Sequence, residues 1–193
     1  MLFSGCGERY GMTGIDRAVL YRVAIETGFQ VNELKHLTVG CFNLKKAIVK
    51  LDAKFCKDRR DAEQFITLAL AKQLEGCFDG RGDNELGFSL GKWTRTAEMI
   101  QEDAIEAKVP VKDKSGPELE FHSTRHSLET ELSNARITQA VIDRIMRHKP
   151  QGIGQRIYTH VSPFQIRSAV EKLPAYPWPG DLQQAQAERA KVS

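Results

Sequence analysis

Between residues 121 and 160 the chain gathers side chains suited to chemistry on a phosphate. Phe121-His122-Ser123-Thr124-Arg125-His126 opens the stretch, Arg147-His148 lies inside it, and Arg156-Ile157-Tyr158-Thr159-His160 closes it. Breaking a phosphodiester without a metal needs an oxygen nucleophile, donors for the charge on the non-bridging oxygens, and a proton for the leaving oxygen. A tyrosine phenol qualifies as nucleophile because it forms a stable phosphotyrosine ester. The planar fork of arginine pairs with two phosphate oxygens at once, and histidine adds one more hydrogen bond. A lysine can supply the proton, yet the only lysine of the stretch, Lys149, merely follows His148. Taken singly, each of these residues is equally at home in a cap, a core or a solvated surface. Order and spacing along the chain must discriminate.

Such groups need a scaffold, and 193 residues suffice for one domain with a real core. The formal charge of +3 permits nucleic-acid binding without requiring it. Cys6, Cys41, Cys56 and Cys77 lie far apart, with no C-x-x-C pair, so they read as reduced thiols and no metal site is expected. No apolar run approaches the roughly 18 residues of a membrane span. The first residues lack the charged and apolar regions of a signal peptide, so a cytoplasmic protein without membrane contact is expected.

Helical periodicity begins after Thr13, with Val19, Leu20, Val23 and Ala24 on one face and Thr13 or Asp16 as cap. Thr27-Gly28 ends that helix. A second helix is predicted over 31–37, with Leu34 and Leu37 turned inward. Strands over 47–51 and 65–68 flank the charged turn Lys57-Asp58-Arg59-Arg60-Asp61, a hairpin with a basic tip. Residues 69–75 read as helix and 76–87 as loop. Thr94 is the expected cap of a helix to about 108, with Ala97, Ile100, Ala104 and Ile105 on one face. The last helices are predicted over 123–133, 138–147 and 163–173, the final one with Ser162 as cap and Pro163 in its first turn. The expected class is mainly α with a small antiparallel β-sheet (α+β). Residues 1–12 read as a disordered lead-in, 13–173 as one domain, and 174–193, with three prolines at its start, as a flexible tail.

These blocks resemble the catalytic domain of the tyrosine recombinases, the phage-integrase family, over about residues 13–172. Thr27-Gly28-Phe29-Gln30-Val31-Asn32-Glu33-Leu34 is similar to that family's T-G-[LF]-R-x-x-E-L. His122-Ser123-Thr124-Arg125-His126 resembles H-x-L-R-H, with Thr124 in place of the usual leucine. Met146-Arg147-His148 corresponds to L-G-H, and Arg156 to His160 to x-x-Y-T-H. On the hairpin, Lys54-Phe55-Cys56-Lys57-Asp58-Arg59 is similar to a K-x-x-K-x-R run whose first lysine is the reactive one. The resemblance implies that Tyr158 attacks phosphorus and holds the DNA 3′ end. It implies that Arg125 and His122 bind the non-bridging oxygens, that His148 stabilises the transition state, and that Lys54 protonates the leaving 5′ oxygen. Glu33 would support the site from behind, and His126 would be structural, buried under its helix. The implied partner is double-stranded DNA, with self-association as a tetramer and exchange of C-terminal tails. No metal, nucleotide or small-molecule cofactor is implied, since the bond energy stays in the phosphotyrosine ester.

The chain departs from the pattern at Gln30, where the family has its first arginine. Losing one oxyanion donor costs about 100- to 1,000-fold in rate, and a phosphate-clamping arginine is worth about 1,000- to 100,000-fold. Residues 1–12 are also too short for the helical DNA-clamping domain that precedes this one in the family, so DNA affinity is expected to fall. Three readings stand: a recombinase, a recombinase of reduced activity, and an inactive DNA-binding or recombinase-partner module. On the hairpin, Lys50 and Lys57 compete with Lys54, and Arg59 and Arg60 either grip DNA or form a solvated turn.

Overall fold

The fold is built on α1 (Gly14–Thr27), which enters through a reciprocal cap. The Thr13 hydroxyl accepts the Asp16 N–H at 3.1 Å, and the Asp16 carboxylate accepts the Thr13 N–H at 3.0 Å. Val19, Leu20, Val23 and Ala24 are buried as their spacing predicts, but Arg17, Arg22, Glu26 and Thr27 are buried too. A helix covered all round must satisfy its polar side chains internally. Arg17 places a two-pronged fork on Asp103 at 2.8 and 2.9 Å, and the Tyr21 hydroxyl donates to the same carboxylate at 2.8 Å. Glu26 accepts the Thr67 N–H at 2.8 Å.

The computed structural model describes residues 8–57, 59–91, 95–112, 116, 118–148 and 160–176. Among them are seven α-helices and a three-stranded antiparallel sheet, so the mainly-α class with a small sheet is right. After Gly28 the chain forms α2 (Val31–Leu34), shorter than the expected 31–37, though Leu37 is buried. The sheet runs β1 (Phe42–Asn43), β2 (Ile48–Leu51) and β3 (Ala62–Phe65) in that order. The second hairpin strand thus lies earlier than the expected 65–68. Buried Ile66 leaves the sheet, and the Thr67 hydroxyl caps α3 (Leu68–Phe78) by accepting the Leu70 N–H at 3.1 Å.

Alternation along the hairpin assigns its two faces to two cores. Val49, Leu51 and Ala62 belong to a large cluster with α1 and α3. Phe65, paired across the ladder with Ile48, belongs to a smaller cluster with the C-terminal helices. Those are α5 (Ser123–Asn134), α6 (Gln139–Ile145) and α7 (Pro163–Val170), which supply Leu128, Leu132, Val141, Ile142 and Ile166.

Between α3 and α5 lies α4 (Thr96–Glu106), begun by Arg95; its expected cap Thr94 lies outside the described residues. The inward stripe of α4 is Met99, Ile100, Asp103 and Ala104, and Ile105 is 65% exposed rather than buried. Asp103 turns this helix because Arg17 pairs with it in the core. Of the lead-in expected over 1–12, residues 8–12 are part of the fold: Met12 is buried, and Arg9 pairs with Glu102 and Glu106 of α4. At the other end, the Tyr176 carbonyl accepts from Arg22 at 3.0 Å and its ring lies 4.7 Å from that guanidinium. The rest of the tail, from 177, lies outside the described residues, as do 149–159 with Tyr158. No helix of the described residues is long and apolar enough to cross a membrane.

Candidate functional site

A cavity of about 380 Å³ opens where α1 ends and α5 begins. Phe29 and Phe121 form apolar walls, and Gln30, Lys57, His122, Thr124 and Arg125 bring polar groups to it. Among the described residues no carboxylate lines it, so three basic side chains face a space suited to an anion.

Each of these groups is held by local structure. His122 is the cap residue of α5, and Arg125 follows one turn later on the same face. Thr124 points inward between them; its hydroxyl donates to the Phe121 carbonyl at 2.8 Å, which satisfies it in a buried position. The Arg125 fork is fixed by two carbonyls, that of Gly28 at 2.7 Å and that of Met146. Gly28 has φ +63°, a left-handed end to α1 that suits glycine. A β-carbon there would stand 3.1 Å from Leu128 and 3.3 Å from the Arg125 guanidinium. The close passage of backbone under arginine therefore also favours glycine.

The electrostatics follow from burial and from the crowding of cations. Burial lowers the pKa of Arg125 from its usual value, and Arg147 lowers it further. His122 is pushed below the ordinary histidine range, first by desolvation, then by His126, Arg125 and Lys57, with Glu120 opposing.

Among the expected site residues, Gln30, His122 and Arg125 meet at this cavity. Glu33 lies behind it, fully covered: it accepts the Gln30 N–H at 2.8 Å and holds the Arg147 fork at 2.9 and 2.6 Å. His148 follows Arg147 beyond the end of α6, with Nδ1 3.4 Å from Asp143, and does not line the cavity. Lys54 is also outside it, 68% exposed, 3.5 Å from Asp52 and stacked at 4.8 Å on Phe55. Lys57 is the hairpin lysine that reaches the wall. His126, expected to be buried, is exposed and stands edge-on to His122 at 4.9 Å. The α5 periodicity explains it, since the inward positions are taken by Thr124, Leu128 and Leu132. Tyr158 lies outside the described residues.

Arg147 carries no expected role, yet it is built in firmly. Its backbone has φ +54°, costly by about 1–2 kcal/mol for a residue with a β-carbon. Its guanidinium lies 5.0 Å from the Phe29 ring, and Nε is buried without a hydrogen-bond partner among the described residues. The signal was an arginine standing where the L-G-H block has glycine. Among the described residues no group of histidine, cysteine and carboxylate side chains could hold a metal.

Comparison with solved structures places the same fold in proteins of low sequence identity. The integrase from mycobacterium phage Brujita superposes with a TM-score of 0.60 at 20% identity, covering 84% of this chain and 53% of that one. XerA recombinase gives 0.53 at 18% identity, covering 88% and 66%. The Tn1549 transposon integrase in complex with circular intermediate DNA gives 0.52 at 13% identity, covering 79% and 56%. The chain thus spans little more than half of the first structure it matches. No curated protein matches it. A sequence model of the phage integrase family, however, matches residues 8–164, which take in the cavity, the hairpin and the stretch around Tyr158. With that match over most of its length, the chain belongs to the phage integrase family.

Proposed function

We propose that the chain is the catalytic part of a site-specific recombinase that breaks and rejoins double-stranded DNA through Tyr158. The observation that carries this is the cavity with Lys57, His122 and Arg125 on its wall and no carboxylate among its described lining residues. A phosphodiester seated there meets Arg125 and His122 at its non-bridging oxygens, where fixed donors stabilise the charge that develops on attack. The Tyr158 phenol oxygen bonds to phosphorus, its proton passes to solvent, and the bond from phosphorus to the 5′ oxygen breaks. The 5′ oxygen leaves with a proton from a hairpin lysine. Lys57 suits that step better than Lys54, because Lys54 is drawn away by Asp52 and Phe55. His148, next to the Arg147 anchor, would close on the phosphate from the α6 side. The products are a 3′-phosphotyrosine and a free 5′ hydroxyl, and the reverse attack rejoins the strands without a nucleotide or metal cofactor. Action as a tetramer on paired sites, in the cytoplasm, fits the same reading.

Incubation with a pool of nicked duplexes should give a covalent adduct on a denaturing gel, absent in Tyr158→Phe. No adduct from the wild-type chain or from Gln30→Arg would defeat strand cleavage. A second reading rests on Gln30, which offers no charge at the cavity: a DNA-binding or partner module that does not cut. Salt-sensitive duplex binding, equal in wild type and Tyr158→Phe and without adduct, would favour it.

A further inference from the structure

Gln30 has no charge to offer, yet two guanidinium groups stand around the turn from which it projects. Arg125 is fixed beneath that turn on the Gly28 carbonyl. Arg147 is fixed beside it, on the carboxylate of Glu33, which also accepts the Gln30 N–H. We propose that Arg147 supplies the DNA phosphate with the second guanidinium that position 30 lacks, delivered from the end of α6; this rests on the strand-cleavage reading above.

Further observations support it. Phe29 is at once a wall of the cavity and the platform of the Arg147 fork, so the charge stands one ring away from the space an anion would fill. Glu33 takes one N–H from each terminal nitrogen, so the second N–H of each remains for a phosphate oxygen. The cation also acts on its neighbour, since Arg147 is the largest influence on Arg125 after burial. With an arginine at 30 and a glycine at 147, the cluster would have the same formal charge. The guanidinium has in effect changed elements.

The test is a swap. Arg147→Gly, Arg147→Lys, Gln30→Arg/Arg147→Gly and Glu33→Gln/Arg147→Gly are compared with the wild-type chain, each checked for folding by thermal melting. Two readouts are taken: covalent adduct with the pool of nicked duplexes, and the salt dependence of binding to a short duplex of arbitrary sequence. Arg147→Gly should lower the adduct rate at least about 100-fold and reduce the salt slope by about 0.9, the share of one phosphate contact. Gln30→Arg/Arg147→Gly should regain both. Arg147→Lys, lacking the fork, should stay impaired in adduct formation while keeping the slope. Glu33→Gln/Arg147→Gly removes the buried pair together, so it should fold but remain adduct-poor. If that last variant cleaves like wild type, Arg147 serves only to neutralise Glu33, and the proposal is overturned. It is equally overturned if the swap regains nothing. Should the wild-type chain give no adduct, cleavage fails on its own terms, and the salt slope still decides: a slope unmoved by Arg147→Gly ends the proposal.

Discussion

On the cavity wall the His122 imidazole shares its surroundings with His126, Arg125 and Lys57, and Glu120 alone favours its charged form. Its pKa in the free protein is depressed, first by desolvation and then by these cations. An arriving phosphate reverses the balance and raises it, so binding takes up a proton. Affinity for a short duplex at constant ionic strength should then climb as pH falls below the ordinary histidine value of about 6.5, by at most about tenfold per pH unit. His122→Gln should flatten that profile; an unchanged profile would mean that His122 does not face the DNA. The histidine and arginine of this wall were legible from their block, because cap and first turn of one helix fix their relation. The hairpin lysine was not, for Lys54 and Lys57 are separated by a turn whose course depends on what each can touch. Asp52 and Phe55 hold Lys54, and Lys57 is the one that lines the cavity.

At the scale of elements, the site depends on two helix ends meeting: the C-terminus of α1 and that of α6. Gln64 on β3 joins them, donating to the Thr27 carbonyl at 2.9 Å and to the Ile145 carbonyl at 2.7 Å. Arg125 makes the same junction one layer on, through Gly28 and Met146. Gly28→Ala should therefore do more than strain a cap by about 1–2 kcal/mol. Its methyl group would press on Arg125, so the melting temperature should fall and adduct formation should fall further than in a variant of equal stability elsewhere. Equal losses would mean the glycine matters only to the helix end. The helices themselves could be read from periodicity and caps, as at Thr13 and Ser162. What periodicity missed has physical causes. β1 has two residues, too few for a pattern, and the apolar run Phe65–Ile66 looks like strand although Thr67 already caps a helix. Asp103 faces inward on α4 because of an arginine 86 positions away, which no local pattern could reveal.

For the molecule as a whole, a formal charge of +3 is small, so any hold on DNA must come from where the cations lie. Lys50, Lys54, Lys57, Arg59 and Arg60 all stand on the hairpin, and all are exposed. Duplex binding should weaken linearly on a log–log plot against salt, and Arg59→Ala/Arg60→Ala should reduce the slope by about two if both neutralise phosphates. An unaltered slope would mark them as solvated turn residues. The sheet meanwhile keeps the two apolar cores apart, with Phe65 as the one buried residue of the first 121 that joins the second cluster among the described residues. Shortly before Phe121, Lys112 and Glu118 form an isolated antiparallel bridge, and their side chains pair at 2.5 Å. That division has a use beyond stability. A chain cut between those two residues would yield two pieces, each with most of a core. Gln30, Glu33 and Lys57 would lie on one piece, and His122, Arg125, Arg147 and Tyr158 on the other. On the proposed function neither piece would hold the whole site, so strand cleavage by the pair should report their reunion, and the protein could be turned into a two-part sensor of proximity.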